Sequence, residues 1–319
     1  MSGQSEYLEP LDMTKSATLT LDLNSTIMLL ILAAVWGGSF FLGEIALSEV
    51  PPLTITMHRV MWALPILALI VLFKGLYVPR SPKVWGAYLV MGALNNAIPF
   101  SLIFWGQTQI DSGLASILNG TTAIFAVTVA GLLLRDEPLT AKKLIGAALG
   151  IAGVAVIMGP SALTDFNPSN LAQLAILGAT LSYAFAGVWG KTALAGQAPL
   201  MNAFGMLIGS TVLMIPIVLM FDGPPNIELS KGVWGALIGM ASLSTALAYV
   251  LYFAILARAG AANLLLVTLL IPPFAVGLGV LFLGERMGLE ALIGFAIIGI
   301  GFVVTDGRLF SFISPKTPT

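Results

Sequence analysis

The sequence predicts an all-α polytopic membrane protein, with ten transmembrane helices in two inverted five-helix repeats. Three observations predict it. Ten apolar stretches fill the chain from Thr26 to Thr305, the second five resemble the first five, and charge is almost absent from all of them. The hydrocarbon core of a bilayer takes about 20 apolar residues per helix, so ten such stretches leave little chain for a soluble domain. Hydrophobic residues make up 58% of the chain and charged residues 9%, against about 25% charged in an ordinary soluble domain.

The expected spans are 26–47, 53–73, 84–106, 114–134, 144–160, 171–190, 201–221, 234–256, 262–283 and 291–305. Only two charged residues, Glu44 and Arg59, fall inside them. Residues 1–25 read as a solvated cytoplasmic tail, 26–160 and 171–305 as the two repeats, and 306–319 as a second cytoplasmic tail. The first 25 residues carry Glu6, Glu9, Asp12 and Asp22 against Lys15. A secretory signal instead needs a basic start followed by a short apolar run.

Orientation follows from the connections. Eleven Lys and Arg, among them Arg80, Arg135, Lys191 and Arg258, fall on the side of the N-terminus, against Lys231 and Arg286 on the other. Basic residues stay on the cytoplasmic face, so both termini are expected in the cytoplasm and the chain in the cell's inner membrane. With no cysteine and one histidine, His58, the chain offers no thiolate nucleophile and no ordinary metal site. No metal and no cofactor are expected. A net charge of −1 gives no ground for a nucleic-acid partner. The expected partners are the lipid bilayer and a small-molecule substrate.

The repeat is carried by three stretches in order. Val84-Trp85-Gly86-Ala87 returns as Val233-Trp234-Gly235-Ala236, 149 residues later. Glu137, Gly146 and Gly153 return as Glu285, Gly294 and Gly301, with Leu-Ile-Gly closing the first interval both times. Gly113 and Gly260 open the fourth and ninth spans. Chance matching between apolar segments explains one such tetrapeptide, not three in register. Repeats of five helices must point opposite ways across the membrane, which is the layout of a secondary transporter.

The chain also resembles the ten-helix EamA permeases of the drug/metabolite transporter superfamily over 26–305. The resemblance rests on Trp36-Gly37-Gly38-Ser39-Phe40-Phe41, Arg59, Gly113-Leu-Ala-Ser-Ile, the Leu-Leu-Leu-Arg-Asp-Glu run ending at Glu137, and Pro272-Pro273 followed by Leu-Gly-Glu at 283–285. It implies a transporter, usually an exporter of amino acids or other small metabolites; uptake, including that of a vitamin, stays open. Such permeases commonly carry proline near Ala123, where this chain has Thr121-Thr122-Ala123-Ile124. Helix four is therefore expected to be less broken than helix nine, which carries Pro272 and Pro273 at its midpoint.

Polar residues inside hydrocarbon are costly and usually face the bundle interior or a cavity. Counting about 1.5 Å per residue puts Asn95 and Asn96 at the midplane of helix three. Through the repeat they match Ser244 and Thr245 in helix eight. Ser242, Thr245, Tyr249 and Tyr252 share one helical face, as do Asn96, Phe100, Ile103 and Gln107. Amides and hydroxyls among aromatic rings suit an amphipathic metabolite; the alternative is that they only bond helix to helix. Asn96, Thr245 and Tyr249 are the favoured wall residues, ahead of Asn95 and Ser244. Further candidates are Phe100, Tyr252, Trp36 at mid-helix, Ser182, Tyr183 and Pro272, whereas Trp189 reads as an interfacial anchor.

Glu44 and Arg59 enter from the same side through a short connection, so a paired bridge is the expected reading. The functional alternative has Arg59 binding a carboxylate, or Glu44 and His58 titrating. Gly146, Gly150 and Gly153 do not make a dinucleotide loop, since no strand precedes them. Their spacing suits close helix packing, within a monomer or in a homodimer. An embedded enzyme would need a reactive cluster that one histidine and two embedded charges do not supply, and a receptor or scaffold leaves the midplane polar pairs unexplained.

Overall fold

The computed structural model describes residues 22–159 and 168–306. Most of the two expected tails lies outside these residues, as does residue 160. The described chain forms ten apolar helical units. They are α1 (Leu23–Leu47), α2 (Pro52–Phe73), α3 (Pro82–Gln107), α4 (Ser112–Leu133), α5 (Ala141–Met158), α6 (Pro168–Ala193), α7 (Pro199–Phe221), α8 (Lys231–Gly260), α9 (Val267–Leu283) and α10 (Leu289–Asp306). The first eight are long and apolar enough to cross a membrane, while α9 and α10 are shorter apolar helices. Each expected span falls on one of these units, with ends that move by a few residues.

The ends move for local reasons. Proline opens α2, α3, α6 and α7, where its fixed φ suits a first helical turn and its missing N–H costs nothing. The start of α1 corrects the sequence reading: 23–25 are helical rather than part of a tail. The Asp22 carboxylate accepts from the Ser25 backbone N–H at 2.8 Å, and such a cap fixes a helix start. Thr140 and Ser230 cap α5 and α8 in the same way.

Helices three and eight both change pitch midway. A π-helical segment, Ala93–Ala97, interrupts α3, and another, Ser242–Leu247, interrupts α8. Their first residues are 149 apart, the offset of the repeated Val-Trp-Gly-Ala. Helix four is broken at Gly120 and Thr121. Before α9, 261–264 are helical and a turn at 265–266 makes a matching break. Helix four is thus broken once, whereas helix nine departs from regular geometry at this turn and again at a π-helical segment, Gly279–Leu283. Pro272 and Pro273 lie within Val267–Leu278, in its first two turns, so the preceding turn takes the bend and the prolines do not break the helix.

The packing pairs the two halves. α2 packs on α7 and α5 on α10; α1 packs on α8 and α9, as α6 does on α3 and α4; α3 meets α7 as α8 meets α2. The α5–α10 contact is built on glycine. A Cβ on Gly153 would lie 2.8 Å from the Gly294 carbonyl oxygen, and one on Gly301 would lie 2.8 Å from that of Gly146. The helix-five and helix-ten glycines thus pack against each other within one chain. A side chain there forces the helices apart, a cost of about 1–3 kcal/mol. Gly153→Val should therefore lower the melting temperature of detergent-purified protein. Gly299→Ala, facing open space, should leave it unchanged or raise it; equal losses in both variants would contradict this packing.

Candidate functional site

A cavity of about 490 Å³ sits between the two largest buried apolar clusters of the described residues. Its wall takes Trp36 and Phe40 from α1, Arg59 from α2, Asn95 and Phe100 from α3, Tyr183 from α6, Met206 from α7, and Ser244, Tyr249 and Tyr252 from α8. Volume and lining fit the general pattern of a small-molecule site, mostly apolar with a few convergent polar groups.

The π-helical segments decide which polar residues reach it. A π turn inserts one extra residue and rotates the helix beyond it, so the favoured member of each midplane pair turns away from the cavity. Asn95 and Ser244 line the wall; Asn96 and Thr245 do not. Asn96 is fully buried, donates to the Ser210 hydroxyl at 3.3 Å and accepts from the Tyr249 hydroxyl at 2.8 Å. It ties α3 to α7 and α8. Thr245 accepts from Arg59 Nε at 3.1 Å and donates to the Met240 carbonyl at 3.0 Å. The Asn95 amide donates to the Tyr249 hydroxyl at 3.4 Å, so Tyr249 joins wall and bundle.

Other expected residues divide the same way. Trp36 and Tyr252 both line the cavity and touch one another, their tilted rings having centroids 6.0 Å apart. Ser244 lines the wall, yet its hydroxyl donates to the Val35 carbonyl at 2.6 Å. Ser182 donates to the Leu94 carbonyl at 2.7 Å, and Trp189 donates to the Ala87 carbonyl at 3.0 Å, so both hold α6 on α3. Pro272 is buried outside the cavity wall, and its neighbour Ile271 reaches the wall instead.

The expected Glu44–Arg59 bridge is absent among the described residues. The Gln107 amide donates to Glu44 at 3.4 Å and to the Phe40 carbonyl at 2.8 Å. The Arg59 guanidinium lies over the Phe100 ring, 3.9 Å from its centroid, and donates to Thr245 and, at 3.4 Å, to the Ser244 carbonyl. The repeated element α8 offers Arg59 a bulge carbonyl and a hydroxyl that the short α1–α2 connection does not. His58 stacks on Trp62, whose indole N–H donates to Nδ1 at 2.9 Å, and meets the edge of Trp234. It lies outside the cavity.

Sequence reasoning missed Asn119, Asn202 and the wall role of Gln107. All three line the cavity, and each has a buried amide oxygen without a hydrogen-bond partner among the described residues. The signal was available: each is an amide within an otherwise apolar helix.

The ends of the cavity differ. It reaches Lys191, Leu194 and Pro199 on the side where α1 begins. On the other side, carboxylates join the two halves of the chain. Glu285 accepts from the backbone N–H of Ser112 at 2.8 Å and of Gly113 at 3.0 Å. Asp222 accepts from the Thr54 N–H at 3.0 Å and its hydroxyl at 2.8 Å, and Glu49 accepts from the Ser230 N–H at 2.8 Å. The Ser230 hydrogen bonds hold the Glu49 carboxyl below the usual range, whereas burial and the nearby Glu285 push the Asp111 carboxyl up. On the cavity's open side Lys191 pairs with Asp136 at 2.7 Å and Glu137 at 2.6 Å. Those groups are well exposed, and such a pair contributes little to stability.

The EamA-like transporter family matches this sequence twice, over residues 24–159 and 170–305. The chain belongs to that family. A relative from Bacillus subtilis (strain 168), the uncharacterized transporter YoaV, is 25% identical over 84% of this chain and 91% of its own. Protein PecM of Dickeya dadantii (strain 3937) is 27% identical over 87% of this chain and 91% of its own. A probable amino-acid metabolite efflux pump of Salmonella typhimurium (strain LT2) is 25% identical over 90% and 95%. A solved crystal structure matches with a TM-score of 0.65 at 18% identity, over 91% of this chain and 99% of the other, a likeness of fold. The chain is thus a multi-pass membrane permease for a small molecule, of a non-catalytic class.

The hydrogen bonds of Asn96 give a direct test of its part in the bundle. Asn96→Ala takes from the Tyr249 hydroxyl its acceptor and from the Ser210 hydroxyl the amide donor from α3, at about 1–3 kcal/mol. A lowered melting temperature is expected, while Asn95→Ala should melt within a degree or two of the parent. Unchanged melting in Asn96→Ala would show that it does not hold α3 to its neighbours.

Proposed function

We propose that this permease moves a small amphipathic metabolite, an amino acid or a related compound, by alternating access through the cavity between its halves. The direction is export from the cytoplasm across the inner membrane. The observation that carries this reading is the cavity itself. It lies at the paired π segments of α3 and α8, reaches one side of the molecule and is closed on the other by Glu285, Asp222 and Glu49.

The two halves act as inverted repeats. In support, the most extensive helix contacts map onto themselves when each helix is replaced by the one five later, and the family matches each half separately. A site midway between such repeats can be closed by either half, which alternating access needs. The excess of Lys and Arg in the connections puts both termini, and the open end of the cavity, in the cytoplasm. The name of the Salmonella efflux pump agrees with an amino-acid-like cargo moving outward.

The wall residues that bind substrate are Trp36, Asn95, Phe100, Tyr183, Ser244, Tyr249 and Tyr252. Counterflow in proteoliposomes, with a panel of metabolites, tests this reading. Tyr252→Ala, which removes only the ring facing Trp36, should cut counterflow at limiting substrate several-fold without loss of folded yield. Full counterflow in Tyr252→Ala, Trp36→Ala and Asn95→Ala together would move the site elsewhere. Orientation has its own test, because the chain has no native cysteine. Single cysteines at Arg80 and Arg258 should resist an impermeant thiol reagent in intact cells, and one at Arg286 should react. The reverse pattern would invert the topology.

A further inference from the structure

Among the described residues, Arg59 is the one residue of the cavity wall whose charge no carboxylate within ion-pair distance balances. It is 6% exposed, lines the cavity, and has no carboxylate within ion-pair distance among the described residues. Its partners are neutral: the Thr245 hydroxyl, the Ser244 carbonyl and the Phe100 ring face. Both bonds use Nε and Nη2, so Nη1 keeps its donors for something else. Among the described residues no Asp or Glu lines the cavity. The second wall cation, Lys191, stands at the open end and is paired with Asp136 and Glu137.

A guanidinium stays charged at any accessible pH, and a buried charge without a counter-ion is expensive. The wall around Arg59 therefore carries a net positive charge. We infer that the cargo is a net anion, an organic acid whose carboxylate takes the free edge of Arg59 and whose apolar body lies against the Trp36–Tyr252 pair of the cavity wall. This rests on the cavity being the transport site and restricts the amino-acid-like cargo proposed for it to compounds of net negative charge. A zwitterion leaves the buried charge uncancelled, since its ammonium meets only neutral groups. The orphan amide oxygens of Gln107, Asn119 and Asn202 suit a hydroxyl or N–H donor on that body.

Three probes with the same aromatic body separate the cases: 3-phenylpropanoate as anion, phenylalanine as zwitterion and phenethylamine as cation. Their binding to the purified full-length protein is measured by calorimetry in the parent, Arg59→Gln, Arg59→Lys and Tyr252→Ala, with folded yield read by size exclusion. The anion should bind best, and Arg59→Gln should weaken it about ten- to hundredfold, as expected for a lost charge-assisted bond. Arg59→Lys, which keeps the charge, should retain much of that affinity if Arg59→Gln does not fold.

Phenylalanine or phenethylamine binding more tightly than the anion would overturn the inference, as would anion binding indifferent to both Arg59 variants. No binding of 3-phenylpropanoate at millimolar concentration would overturn it too. Binding that depends on Arg59 but ignores Tyr252→Ala would support the anion and move its apolar body off Tyr252. If phenylalanine binds with dependence on Tyr252 but not on Arg59, the cavity reading survives and the anionic cargo does not.

Discussion

In a bilayer every backbone polar group must find its partner inside the protein, and the site of this permease is built where its helices depart from regular geometry. The π segments of α3 and α8 depart from the regular α-helical ladder, and side chains donate to carbonyls in or beside them. Ser182 reaches Leu94, Thr245 reaches Met240, and Arg59 reaches Ser244. Each of these bonds except Thr245's joins two helices. The segments therefore fix the packing of α2, α6 and α8 while turning Asn95 and Ser244 into the cavity. Regular helices in their place would remove the reason for those contacts and rotate the wall.

Charge obeys the same constraint. Arg59 gains from Phe100, Thr245 and a bulge carbonyl what an exposed guanidinium gains from water. Glu44, which the chain brings near the same depth, bonds to Gln107 instead. On the closed side the carboxylates of Glu285, Asp222 and Glu49 take up backbone N–H groups at the starts of α4, α2 and α8. Orphan N–H groups at helix starts attract carboxylates. Because each clamp joins one half to the other, they release together only if the halves separate.

Much of the fold was legible in the sequence. Ten apolar runs, prolines at helix starts and the glycines of α5 and α10 act locally, so length and spacing report them. The cavity was legible in part. Phe100, Tyr249, Tyr252, Trp36 and Tyr183 reach it because aromatic rings are large and their helical faces are simple to trace. Asn96 and Thr245 were favoured over Asn95 and Ser244 because a helical wheel assumes uniform pitch, and the π segments rotate each pair by one residue. The partner of Arg59 was misread because proximity along the chain favoured Glu44, whereas the contact spans 186 residues to Thr245. Pro272 misled for a related reason: the turn at 265–266 precedes α9, and the prolines lie within a continuous helix.

The central claim is that the cavity is reached alternately from the two sides as the halves close over it. Since the chain has no cysteine, paired spin labels can be placed on both faces without removing native thiols. Labels at Gln109 and Arg286 report the side of the Glu285 clamp, and labels at Thr140 and Ala257 report the opposite side. In liposomes with transported substrate, the first distance should lengthen in a fraction of molecules as the second shortens. Distances that stay fixed, or that lengthen together while transport proceeds, would contradict alternating access through this cavity.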